Sequence, residues 1–196
     1  TELVARSRNL IVATGATERL KDPGCVVAGH KIVLSKLVLT EEAINDVGER
    51  KNGNLKGSVA IVGNSHSAWS AAHKLLERFG STPSFRIDMF SRNGTKVFFN
   101  SQQEAALANY HFGTNDICPK TGRVNRFLGI RGDAKNLFLR NQAGEEGRIS
   151  LHVYRDTEDI TPFLQQATVI VQATGYEVNK LNIHDTTGNL GQGVAG

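Results

Sequence analysis

Residues Ser58 to Phe90 constrain the fold more than any other stretch. Ser58 to Val62 (SVAIV) is a short, β-branched run that ends at Gly63, which reads as a buried strand stopping at a tight turn. Residues 66–79 (HSAWSAAHKLLERF) follow, with Ala68, Ala71, Ala72, Leu75, Leu76 and Phe79 recurring at three- and four-residue steps. That spacing predicts a helix with one apolar face, stopped by Gly80. Ser84 to Phe90 (SFRIDMF) returns as a strand, closed by Ser91-Arg92-Asn93-Gly94. Strand, glycine turn, helix and strand form a βαβ crossover of about the usual size, so the chain is expected to be α/β with a parallel sheet.

The flanks are less regular. Asn9 to Ala13 (NLIVA) reads as a buried strand ending in Thr14-Gly15, and residues 16–57 as a mixed connector. The connector holds a small apolar stretch at Cys25 to Ala28 and a short helix from Thr40 to about Val47, with Thr40 as N-cap ahead of Glu41 and Glu42. After Gly94, a helix is expected over Gln102 to Tyr110, then a polar loop. Leu137 to Asn141 and Arg148 to Tyr154 read as two strands of a hairpin joined by residues 142–147. Thr168 to Gln172 (TVIVQ) is a further buried strand that runs into Ala173-Thr174-Gly175, and the glycines of the last nine residues read as a flexible tail.

Composition excludes several classes. Across 196 residues, 39% are hydrophobic and 21% charged, enough for a real core and against wholesale disorder. The net charge of +4 is spread without a dense cluster, a weak nucleic-acid signal that an anionic nucleotide would satisfy as well. No apolar run approaches membrane-spanning length and no signal segment opens the chain, so neither a nucleic-acid nor a membrane partner is expected. Cys25 and Cys118 are far apart and form no C-x-x-C pair, which argues against a disulfide reductase and a cysteine zinc site. Two free thiols make the cytoplasm the default expectation. His66 and His73 fall on one helix face, but no ligand set accompanies them, and no metal is expected.

The strongest local signal is Gly63-Asn64-Ser65-His66-Ser67-Ala68. In a dinucleotide fingerprint the first glycine makes the turn, the second lets backbone approach the pyrophosphate, and the third lets the helix pack against the sheet. Here Ser65 and Ala68 stand in the second and third places. Ser65 would add a hydroxyl to the N–H groups of a helix start, where the dipole favours an anion. An ordinary crossover with a small-residue turn needs the same residues, and this stretch alone leaves both open. Ser91-Arg92 occupies the tip of the second strand, where a basic residue suits the 2′-phosphate of NADP and a carboxylate would suit NAD. Asp88 lies in the same strand before its end, with its direction undetermined, and a solvated loop charge remains the alternative for Arg92.

Two A-T-G segments, Ala13-Thr14-Gly15 and Ala173-Thr174-Gly175 with Tyr176 after it, enclose this unit. The ordered set of A-T-G, the Gly63 to Ala68 turn, Ser91-Arg92 and A-T-G-Y resembles the flavoproteins with two dinucleotide-binding domains, and most closely the flavin-containing and N-hydroxylating monooxygenases. The resemblance implies a three-layer Rossmann-like NAD(P)H-binding domain over 58–172. Residues 1–57 would be a partial FAD-domain strand and linker, and 173–196 the return to that domain. It implies NADP and FAD as cofactors, with Gly63, Ser65, Ser67 and Ala68 around the pyrophosphate and Arg92 on the 2′-phosphate. Asn64, His66 and Ser91 complete that cofactor-binding set, while Thr14, Gly15, Thr174 and Gly175 would shape the hinge near the flavin.

The family places an FAD-binding strand, G-x-G-x-x-G turn and helix before its first A-T-G, and this chain starts only about a dozen residues ahead of Ala13. It is therefore expected to be part of a longer architecture, with the remainder of an FAD domain as its partner. The implied activity is oxidation of a small nucleophilic substrate by oxygen that NADPH-reduced flavin activates. A non-catalytic nucleotide-binding regulatory module and a structural domain are the alternatives. No residue stands out as catalytic acid, base or nucleophile. Asn100 and His111-Phe112, in the irregular stretch 95–136, are read as surface loop in preference to a substrate or cofactor edge.

Overall fold

The structure is a computed structural model that describes residues 15–20, 31–40, 44, 57–155 and 160–179. The strand expected over 9–13, the apolar stretch at 25–28 and the glycine-rich tail lie outside the described residues. So does the helix expected over 40–47, apart from Thr40, in a bend, and a buried, helical Ile44.

Seven strands are described: β1 (Ala16–Glu18), β2 (Lys31–Leu34), β3 (Ser58–Val62), β4 (Arg86–Ser91), β5 (Ile149–Val153), β6 (Val169–Gln172) and β7 (Tyr176–Val178). The helices are α1 (Ser35–Val38), α2 (His66–Phe79), α3 (Gln102–Leu107), α4 (Gly132–Gln142) and α5 (Thr161–Gln166), with a 3-10 turn at Thr114–Asp116. Strands β2-β6-β3-β4-β5 form one sheet in that order, every neighbour pair parallel. The chain has an α/β, Rossmann-like fold.

Alternation along the central strands explains the layers. Val59 and Ile61 of β3, Ile87 and Met89 of β4, and Val169 and Val171 of β6 belong to a core shared with α2 and α4. Ala60, Val62, Phe90 and Ile170 point the other way, onto Leu164 of α5. A strand covered on both faces must be apolar throughout, which is why SVAIV and VIVQ lack a polar stripe. On α2 the buried residues are Ala68, Trp69, Ala71, Ala72, Leu75 and Phe79. The alanines let the helix lie close to the sheet, and Trp69 meets Phe138 of α4 edge-on at 5.3 Å.

Several sequence expectations change here. β2 arises from the stretch read as a connector, and it sits at the sheet edge beside β6. Residues Leu20–Gly175 form one compact unit, so the sheet is wider than residues 58–172 alone. The expected hairpin does not form. Residues 137–141 are the second half of α4, whose buried Ala134, Leu137 and Phe138 follow the three- and four-residue step of a helix rather than a strand's alternation. β5 is a strand as expected, but it pairs in parallel with β4. Helix α3 stops at Leu107 instead of Tyr110 because Asn109 takes a left-handed φ of 51°.

β1 and β7 belong to the other compact unit. They pair antiparallel, with Ala16 opposite Val178 and Glu18 opposite Tyr176. The Asn179 N–H donates to the Gly15 carbonyl at 3.1 Å.

Candidate functional site

In an open parallel sheet the loops at the carboxyl ends of the strands diverge where strand order reverses, and a crevice opens there. The chain leaves β3 through α2 towards β4 and β5, then returns through α5 to β6 on the other side of β3. At that place lies a cavity of about 520 Å³ lined by Val62 to Ser65, Phe90 to Asn93, Tyr154, Ile160 and Gln172 to Gly175. Its size falls within the range of small-molecule sites, about 300–1,000 Å³.

Gly63 makes the turn out of β3. Its φ is +129°, and a Cβ there would stand 2.3 Å from the Ala173 carbonyl oxygen. Its N–H donates to the Phe90 carbonyl at 2.8 Å, while the Ala173 N–H donates to the Val62 carbonyl at 2.8 Å. The turn is thus pinned between the two neighbouring strands, and no larger residue fits. A tight turn of this kind is the role of the first glycine in a dinucleotide fingerprint.

Ser65 is the N-cap of the 14-residue α2 and makes no side-chain capping bond; the first turn contains no acidic residue. The positive end of the helix dipole therefore meets no carboxylate of its own turn. Asn64 does something different: its Nδ2 donates to the Asn93 carbonyl. Ser91 Oγ donates to the same carbonyl at 2.8 Å. Asn64 thus staples the β3 turn to the β4 tip, and Ser91 holds that tip from within its own loop. Arg92, exposed beside them, is the one charged side chain among the described residues lining the crevice.

Of the residues singled out from sequence, Gly63, Asn64, Ser65, Ser91, Arg92, Thr174 and Gly175 line this crevice. His66, Ser67 and Ala68 do not. Ala68 is fully buried against the sheet, and His66 Nδ1 accepts the Arg131 N–H at a long 3.5 Å. Gly15 lies in the other unit, and Thr14 lies outside the described residues. Asp88 does not line the crevice; it lies on the same face of β4 as Phe90, deeper in the strand, and pairs with His152 at 2.9 Å.

Sequence reasoning missed Phe90, Asn93, Tyr154, Ile160 and Gln172 as lining. Tyr154 follows β5, and correct parallel pairing of that strand would have put it at the same end of the sheet as Arg92. A second cavity, of about 410 Å³, shares Asn64 and Ser91 with the first and is lined also by His111, Lys96 and Asp116. His111 is exposed in a loop, as expected, and that loop borders the second cavity. Asn100 is instead engaged in the start of α3, its N–H donating to Glu104 Oε2 at 2.9 Å.

Perturbed titration lies away from the crevice. Cys118 is lowered to about 7 by its hydrogen bonds with Thr121 and Arg126. The Gly113 N–H and Lys96 hold Asp116 down, and Lys135 does so for Glu104. Among the described residues no group of His, Cys, Asp and Glu is arranged to hold a metal ion, and no helix is long and apolar enough to cross a membrane. Among the described residues, the crevice lining contains no carboxylate, imidazole or thiol.

No protein-family model matches the chain. CMP-5'-(3-aminopropyl)phosphonate hydroxylase of Streptomyces rubellomurinus is 30% identical over 131 residues, 62% of this chain and 30% of that protein. The crystal structure of L-lysine 6-monooxygenase from Pseudomonas syringae aligns with a TM-score of 0.50 and 15% identity, over 90% of this chain and 50% of that one. Ornithine N-hydroxylase of Kutzneria sp. 744, in a complex with FADred, NADP+ and L-ornithine, aligns at a TM-score of 0.44 with 15% identity, over 81% of this chain and 46% of that one. At 0.44 the overlap is too loose to support an inference. The chain spans 30% of the Streptomyces hydroxylase and half of the lysine monooxygenase. At 15% identity the lysine monooxygenase establishes the fold alone.

Proposed function

We propose that this chain is the NADPH-binding portion of an FAD-dependent monooxygenase acting on a small nucleophilic substrate. Residues 58–172 carry the dinucleotide module, β2 extends its sheet, and the rest of an FAD-type domain completes the enzyme. The observation that carries the proposal is the crevice, with a glycine turn and an acid-free helix start on one side and Arg92 on the rim. The sequence relationship to a hydroxylase supports the same reading. So does the fold shared with a lysine monooxygenase.

The residues present fit one dinucleotide. Gly63 and the N–H groups at the start of α2 would receive the pyrophosphate, as oriented dipoles do for anions. Arg92 would take the 2′-phosphate, and Thr174 and Gly175 would form the wall beneath the nicotinamide half. NADPH and FAD, when bound, supply hydride transfer and oxygen activation; the protein binds, orients and excludes water. No side chain of the crevice has to move a proton.

Calorimetric titration of the chain with NADPH and then NADH tests this. NADPH should bind more tightly, and Arg92→Ala should erase the difference. A charge-assisted hydrogen bond is worth about 1.5–3 kcal/mol, or roughly 10- to 100-fold in affinity. Equal affinity for the two, or no binding by a folded chain, would reject the assignment. A non-catalytic regulatory module would bind alike, and is separated by flavin turnover once the FAD-type domain is supplied.

A further inference from the structure

We infer that His152, held by Asp88, is a positioning residue for the crevice: it sets the plane of Phe90 and, through it, the tip of β4 that carries Arg92. The inference rests on the dinucleotide reading of that crevice. It starts from a carboxylate in an apolar place. Asp88 lies on the α5 face of β4, level with Ala60 of β3 and Ser150 of β5,. Its Oδ1 accepts from His152 Nε2 at 2.9 Å, and both side chains are about one-third exposed, 31% and 34%. His152 stands directly across from Phe90 in the parallel register, so the Asp88 bond is a diagonal tie between the last turns of two strands.

The imidazole lies nearly flat on Phe90, with centroids 4.7 Å apart and planes 13° from parallel. Phe163 of α5 closes against both rings, at 5.8 Å from Phe90 and 5.7 Å from His152. An imidazole ring is free to turn about its last torsion, and a bond from Nε2 to a fixed carboxylate removes that freedom. Phe90 is 1% exposed and forms part of the crevice wall, and its carbonyl receives the Gly63 N–H. Beyond it, the Tyr154 N–H donates to the Ser91 carbonyl at 2.9 Å. The stack therefore sits one residue from Ser91 and two from Arg92, at the point where β4 and β5 part. Loosening it lets the β4 tip swing, and the group most dependent on that tip is the 2′-phosphate contact.

The test is the affinity of the full chain for NADPH and for NADH, measured by calorimetry on the wild type and on His152→Ala, Asp88→Ala and Asp88→Asn, with a melting curve for each. An aromatic pair contributes about 0.5–1.5 kcal/mol, so His152→Ala should cut the NADPH-over-NADH ratio roughly 2- to 10-fold. Asp88→Ala should follow it. Asp88→Asn keeps an acceptor on the ring and should restore the ratio to within about twofold of wild type. A purely structural pair would lower the melting temperature and leave the ratio unchanged in folded protein, which overturns the inference. A wild type without preference for NADPH instead overturns the dinucleotide reading and this inference with it. Should His152→Ala not fold, the two Asp88 variants decide the matter alone.

Discussion

The two ends of the parallel sheet are built on different terms. At the amino end Glu146, 3% exposed, receives Arg148 through Nε and Nη2, each at 2.7 Å. Arg148 Nη1 also donates to the Gly80 carbonyl at the end of α2, and Arg140 Nη2 stands 3.9 Å from Glu146. Gly80 has an ordinary φ of −65°, yet a Cβ there would meet Arg148 Nη1 at 2.6 Å. The ties at the carboxyl end include the backbone bonds at Gly63, Ala173 and Tyr154, the partly buried Asp88–His152 pair, and the Asn64 and Ser91 donors to Asn93. One end is a charged clamp, and the other is a polar rim that carries the exposed Arg92. On the proposed reading the rim binds the ligand, and fixation of the strands falls to the opposite end.

The largest effect should come from the one position where the open end tolerates no change. Gly63→Ala combines a left-handed φ with overlap on the Ala173 carbonyl, and strain plus overpacking give about 3–4 kcal/mol of lost stability. Chemical denaturation measures it, and a loss below 1 kcal/mol would show that the turn can open away from β6. Glu146→Ala should come next. Breaking a buried ion pair costs about 3–5 kcal/mol, and the partial exposure of Arg148 puts this one near the lower bound. Its dinucleotide affinity, measured in the folded fraction, should match wild type. A change in affinity would mean that the two ends are coupled.

Acid sharpens the same contrast. Hydrogen bonding to Arg148 holds the Glu146 carboxyl below its ordinary range. A depressed native value contributes stability that is full above the unfolded value and is lost as pH falls through the native one. The chain should therefore lose stability steeply below the ordinary glutamate range, and Glu146→Gln should flatten that slope in urea melts taken from pH 6 to pH 3, a window set by the ordinary carboxylate range. Glu104 and Asp116, also depressed, should leave a smaller residual slope.

How much of this was legible follows from which signals are local. The β3–α2–β4 unit was, because a buried strand, a helix face and a glycine turn each write a period or a break into adjacent residues. The partner of β5 was not. Residues 142–147 look like a hairpin loop, and only the burial of Ala134, Leu137 and Phe138 identifies α4 and forces a parallel return. That error hid Tyr154. The direction of Asp88 depended on cross-strand register, which a single strand does not carry. Asn93 was illegible for another reason: it contributes a main-chain carbonyl, and any residue type would supply one.

The Asn64 staple is the smallest expected effect and the most discriminating. Asn64→Ala removes one of two donors to the Asn93 carbonyl, and Ser91 Oγ remains at 2.8 Å, so no acceptor is orphaned. Stability should fall by no more than about 1 kcal/mol. The loop carrying Arg92 would nonetheless lose the Asn64 link to the β3 turn. NADPH affinity should therefore drop about two- to fivefold, with NADH affinity less affected, on the scale of a single neutral hydrogen bond. Calorimetry on Asn64→Ala and on Ser91→Ala separates the two donors. If Ser91→Ala weakens NADPH and Asn64→Ala does not, the β4 tip is organised from within its own loop. If both weaken it equally, the turn and the tip act as one rim, and that rim is what the carboxyl end has in place of a clamp.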